Sequence, residues 1–138
     1  PPCIVDFNER NVFRIFINRN DEIMVEDEII NIADLKDLTK AFIDNNGGNV
    51  CDYCFGEQLT TLSDKPSEAV ISLKHDALTN YGAFIVVQDE ISKAYYDLRS
   101  NYVKKVFDKS PEELTKEELQ AVKEAYPFIL SEVKVERN

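Results

Sequence analysis

A chain of 138 residues is long enough to bury one hydrophobic core and falls within the size of a single domain. Its 43% hydrophobic and 30% charged content marks it as globular rather than disordered. With 26 acidic against 16 basic residues, the formal charge of -10 excludes nucleic acid and anionic lipid as main partners, because both are bound by clustered Lys and Arg.

The lead-in, Pro1 to Arg10, reads as an extended linker in which Ile4, Val5 and Phe7 surround Asp6. Pro1-Pro2-Cys3 has neither the basic region nor the apolar core of a secretory signal, and a start without Met reads as the cut end of a longer chain. From Phe13 the pattern is a β-hairpin. Phe13, Ile15 and Ile17 share one face at a two-residue period, Asn18-Arg19-Asn20-Asp21 supplies turn chemistry, and Glu22 to Val25 returns. Asn31 then caps a helix that carries Leu35, Leu38 and Phe42 on one side, with Asp34 placed to reach back in a capping box. Asn45-Asn46-Gly47-Gly48 ends that helix.

Residues 45–67 form a connection longer than such turns usually need, expected as a mobile surface loop. It holds Cys51-Asp52-Tyr53-Cys54. The pair does not sit between a strand and a helix mouth, as a thioredoxin-type motif does, and a zinc site would need ligands from distant Cys3 and His75. Cys51 and Cys54 are therefore read as a local disulfide or as two free thiols.

Glu68 to Leu73 is apolar enough for an interior strand. It runs to His75-Asp76, after which Thr79 or Asn80 caps a long helix with Phe84, Val87, Ile91, Tyr95, Leu98, Tyr102 and Val106 at helical spacing. Tyr95, Tyr96 and Tyr102 either pack into the core or mark a second buried surface. Ser110-Pro111-Glu112-Glu113 and Thr115-Lys116-Glu117-Glu118 are two successive capping signatures within an extra helical piece, 111–126. Pro127 stops it, and Ile129 to Glu136 alternates as a final edge strand guarded by Glu132, Lys134 and Glu136.

No catalytic grouping emerges. His75 is the single His, which rules out a multi-histidine metal cluster, and Asp76 just before a helix suits backbone capping better than acid–base work with its neighbour. Gly47-Gly48 follows a helix rather than opening one, so it makes no phosphate cradle. Neither cofactor nor metal is expected. The fold class expected is α/β: a two-layer sandwich with a small mixed sheet and helices on one face, in the order hairpin, helix, strand, helix, helix, strand.

The hairpin with its leucine-bearing helix, and the strand–Asp76–Tyr81-Gly82–helix–Leu98-Arg99 unit, resemble the periplasmic domain of the ExbD/TolR family, small subunits of proton-driven motors in Gram-negative envelopes. The likeness covers Ile4 to Asn45 and Glu68 to Arg99. It implies residues 1–10 as a linker from a membrane helix that precedes them, and 11–138 as a periplasmic domain with an inserted loop at 45–67. The motor's proton-carrying Asp would lie on that helix, outside these residues. By the resemblance the chain belongs to a single-pass inner-membrane subunit of a TonB–ExbB–ExbD system. That system carries out biopolymer transport, serving outer-membrane transporters at the expense of the proton motive force.

The implied partners are an ExbB-like channel subunit, a TonB-like protein and a second copy of the chain. Contact would be made through strand edges at Ile4, Val5 and Phe7 or at Ile129, Val133 and Val135. An oxidising periplasm favours the Cys51–Cys54 disulfide. The alternatives are a TolR-like envelope-integrity subunit that contacts peptidoglycan, and a redox protein that uses the cysteine pair.

Overall fold

The computed structural model describes residues 9–136. Ile4, Val5 and Phe7, expected as one binding strand, and Cys3 lie outside the described residues. Glu9 and Arg10, expected in the extended lead-in, start a short 3₁₀ turn, Glu9–Asn11.

Among the described residues five strands form one mixed sheet: β1 (Val12–Ile17), β2 (Ile23–Val25), β3 (Glu28–Ile30), β4 (Val70–Asp76) and β5 (Leu130–Val135), in the spatial order β3-β2-β1-β4-β5. The first two junctions are antiparallel, and β4 and β5 run parallel to β1. Three helices of the described residues, α1 (Ile32–Ile43), α2 (Tyr81–Tyr102) and α3 (Lys116–Ala125), provide the crossovers. The α/β fold expected from the sequence is therefore the fold observed.

Strand alternation decides which face is covered. Phe13, Ile15, Ile17, Val25, Ile71 and Leu73 are buried in one cluster with Leu35 and Phe42 of α1 and Val87, Ile91, Tyr95 and Leu98 of α2. Phe13 stacks on Phe42 with ring centroids 5.0 Å apart. Lys36 and Lys40 of α1 meet Asp97 of α2, each at 3.3 Å, and so set the two helices side by side. The opposite sheet face carries a row through all five strands, Ile29, Met24, Phe16, Lys74 and Val133, which neighbour one another by register.

Several local readings differ from the structure. β3 was not expected: Glu26 and Asp27 both adopt positive φ, 49° and 69°, and so close a two-residue hairpin of the type usually announced by Asn-Gly. Glu68 belongs to a 3₁₀ turn, Pro66–Glu68, and β4 runs on to Asp76. Asn31 caps α1 by accepting from the Ala33 N–H, whereas Asp34 contributes its backbone N–H to Asn31 O and closes no box. Beyond Tyr102 the helix widens into a π turn, Val103–Phe107. That turn rotates the apolar stripe, leaving Val106 48% exposed. Both capping boxes after it form, at Ser110 with Glu113 and at Thr115 with Glu118. They open two separate pieces, a 3₁₀ turn at Pro111–Glu113 and the helix α3, rather than one continuous helix.

The connection 45–67 is built into the fold. Asn45, 1% exposed, donates from Nδ2 to Leu59 O and Ser63 O and accepts at Oδ1 from Leu59 N–H. Asn46 brackets Cys51 with two bonds, and Ser63 Oγ donates to Phe42 O at 2.5 Å. From the far end of the chain Arg10 donates to Leu62 O and Leu59 O. Polar side chains thus supply the pairing that a buried irregular backbone requires.

Candidate interaction surfaces

The β4–α2 junction gathers the motif residues. Asp76, 2% exposed, accepts at Oδ1 from the Leu78 N–H at 2.9 Å, which turns the chain off β4. Thr79 does not cap α2. Its hydroxyl donates to Ile17 O and Asn18 O, so the turn is pinned to the end of β1, and Asn80 is the cap, accepting from Gly82 N–H at 2.7 Å. A Cβ at Gly82 would lie 3.0 Å from that capping oxygen, which favours a glycine there. Tyr81 does not bury its ring: it is 75% exposed, with the Phe84 ring 6.4 Å away. His75 packs beside Phe84 at 4.7 Å, and its Nδ1 lies 3.2 Å from Asp76 O, so the two neighbours form no side-chain pair.

At the other end of α2, Leu98 is buried in the core and Arg99 donates from Nε and Nη2 to Tyr126 O, at 3.0 and 2.8 Å. Tyr126 is the C-terminal cap of α3. Arg99 therefore satisfies a helix-end carbonyl and locks α3 to α2. Asp76, Gly82 and Arg99 hold the α2 unit at both ends, and of the five Tyr81 presents a large exposed side chain to solvent.

The docking of the inserted segment forms a polar–aromatic cluster that the sequence reading missed. Cys51 and Cys54 are joined in a disulfide with Cα atoms 5.6 Å apart, and the small ring presents Tyr53 inward. Tyr53 lies edge-on to Tyr102 and Tyr126, at 5.1 and 5.3 Å, and donates to Ala125 O at 2.6 Å. Tyr126 donates to Asp44 Oδ1 at 2.8 Å, while Asp44 Oδ2 accepts from Phe55 N–H. Burial raises the Asp44 carboxyl above its ordinary 3.8, although those two hydrogen bonds oppose the shift. Burial first, then the neighbouring charges of Tyr102, Asp52 and Asp44, push Tyr53 up to about 12.

Among the described residues β5 is an edge strand, as expected. Ile71 N–H donates to Ile129 O and Ala77 N–H to Val135 O, so by the two-residue period Ile129, Ser131, Val133 and Val135 turn their backbone groups toward β4. The amides and carbonyls of Leu130, Glu132 and Lys134 therefore face outward. Of the expected contact residues, Ile129 is half-buried, whereas Val133 and Val135 are 46% and 36% exposed on the uncovered sheet face. The edge and the apolar face meet along β5.

A cleft of about 420 Å³ separates α2 from α3. Tyr95, Tyr96, Val103, Leu119, Val122 and Phe128 give it apolar walls, and Arg99 and Lys123 are its charged lining residues. Of the three tyrosines expected on the α2 stripe, Tyr95 is 1% exposed, Tyr102 is half-buried and Tyr96 is 66% exposed. The Tyr95 hydroxyl is fully buried without a hydrogen-bond partner; the Ile129 amide faces it without completing a bond. Among the described residues no group of three or more His, Cys, Asp or Glu is placed to hold a metal ion, and no helix is long and apolar enough to cross a membrane.

No protein-family model and no curated protein sequence matches the chain.

Proposed function

We propose that this chain is the periplasmic domain of an ExbD-type subunit in a proton-motive-force-driven TonB–ExbB–ExbD complex, acting as a protein–protein interaction module without catalysis. The observation that carries the reading is the β5 edge. Outward-facing backbone at Leu130, Glu132 and Lys134 lies beside exposed Val133 and Val135. An extended segment of a TonB-like partner, or of a second copy, can add there as a further strand, with main-chain bonds giving affinity and the valines giving side-chain contact. The motif residues support the reading in a different way. Asp76, Gly82 and Arg99 brace α2, and a domain that passes force between partners needs rigid elements behind its contact edge.

The backbone direction chooses the test. Proline at Val133 would remove an N–H aimed at β4 and detach β5 itself. Lys134→Pro removes an outward N–H, and the Lys134 side chain pairs with the exposed Glu136 at 2.9 Å. We expect Lys134→Pro to keep the fold, by circular dichroism, and to abolish capture of a TonB-like periplasmic peptide in titration calorimetry. Unchanged capture would sink the β5 assignment, and failure of the parent domain to bind any TonB-like or ExbB-like partner would sink the family reading.

A further inference from the structure

The α2–α3 cleft has a chemistry that the β5 edge does not use. In a chain with 26 acidic residues, none of the residues lining this cleft is acidic, while Arg99 and Lys123 both are basic. Neither has a carboxylate partner among the described residues: Arg99 spends two N–H groups on the Tyr126 carbonyl, and Lys123 makes no ion pair. The walls are aromatic and aliphatic, with Tyr96, Leu119 and Phe128 at 66%, 44% and 43% exposure, far more open than core residues of their kind. Tyr95 closes the floor, and its hydroxyl is the one buried side-chain polar atom of the described residues that lacks a partner.

We propose that this cleft binds a small amphiphilic carboxylate, with its chain against Tyr96, Leu119, Val122 and Phe128 and its headgroup at Lys123 and Arg99. The volume of about 420 Å³ lies toward the small end of ligand sites, which span roughly 300–1,000 Å³, and so suits one short chain rather than a two-chain lipid. A carboxylate is selected over a neutral group because both charged residues that line this apolar surface are cations. There a charge-assisted hydrogen bond is stronger than a neutral one. The site lies at α2 and α3 and does not depend on the strand edge proposed above.

The test is a heteronuclear NMR titration of the whole domain with decanoate below its micelle concentration, in parallel with decanol and with vesicles of anionic phospholipid. The expected result is saturable shifts at the amides of Tyr96, Val103, Leu119 and Lys123 with decanoate, weaker binding of decanol, and no response to vesicles. Lys123→Glu, at an exposed position, should raise the decanoate Kd about fivefold, the scale of one exposed charge interaction, without changing spectral dispersion elsewhere. The proposal is overturned by the absence of saturable shifts at these amides, by equal binding of decanol, or by vesicles replacing free decanoate. It is also overturned if the domain self-associates through this groove, seen in sedimentation as a dimer that Leu119→Glu abolishes. Peptide capture at β5, read on the same samples, reports on the functional proposal separately.

Discussion

Two buried tyrosines in this domain do opposite things. Tyr126 donates to Asp44 and sits over the end of α3, so removing its hydroxyl strands a half-buried carboxylate oxygen. Tyr95 donates to nothing. Tyr126→Phe should therefore destabilise by about 1–3 kcal/mol, whereas Tyr95→Phe should be neutral or stabilise by about 1 kcal/mol, because an unpaired buried polar group is deleted without a lost bond. Urea denaturation of both variants checks the sign. At Gly56 the absence of a side chain is what the fold requires. The Gly56 N–H donates to Asp44 O at 3.0 Å, and a Cβ there would run into the Asp44 carbonyl and the Asn45 backbone. Gly56→Ala should cost about 1–3 kcal/mol, the range for overpacking a tight contact, seen as a lowered urea midpoint at unchanged slope.

Among the elements, the inserted segment departs most from its sequence-based expectation. Length and polarity suggested a loop standing off the surface, yet its Asn and Ser side chains bond the backbone across the α1 terminus, and the disulfide ring carries Tyr53 into the α2–α3 junction. Constraint of a ring this small contributes about 2 kcal/mol in the chain-entropy account. Cys51→Ser with Cys54→Ser should lose about that much. Hydrogen exchange should quicken at Tyr53 and at the end of α3, where Ala125 O accepts from Tyr53, and should stay unchanged in β1 and β4. The α2 helix shows the same dependence on context. Its stripe continues in sequence through Val106, but the π turn at Val103–Phe107 takes that residue out of line.

The whole molecule carries a pH dependence at its alkaline limb. Burial pushes Tyr53 and Tyr95 up to about 12 from 10.0, and burial together with the Asp44 charge raises Tyr126 as well. In each case the folded form holds a proton that the unfolded chain releases sooner. The stability from Tyr53 and Tyr95 is thus fully present below about pH 10 and is lost as pH rises from there through about 12, while that from Tyr126 has the same sign and persists further up. Phenolate absorbance and far-UV circular dichroism should accordingly change together in that range, and Tyr95→Phe should reduce the slope. Asp44 has the same sign at the acid end: its raised carboxyl favours the fold at low pH, and that contribution fades as pH climbs through the carboxylate range.

Period and end-chemistry alone determined much of this molecule. The two-residue alternation of β1, the capping boxes at Ser110 and Thr115 and the charged last strand each depend on residues within a few positions of one another, and all appear where expected. β3 escaped because Glu26-Asp27 adopts a conformation that its residue types seldom signal. The anchoring of 45–67, the Asp44–Tyr126–Tyr53 cluster and the α2–α3 cleft were decided by tertiary structure, since Arg10 with Leu62, Tyr53 with Ala125 and Asp44 with Tyr126 become neighbours only after the sheet and helices have packed. Local pattern specifies what a segment prefers to be. Which polar groups find partners, and which surface stays open, follows from how the segments pack together.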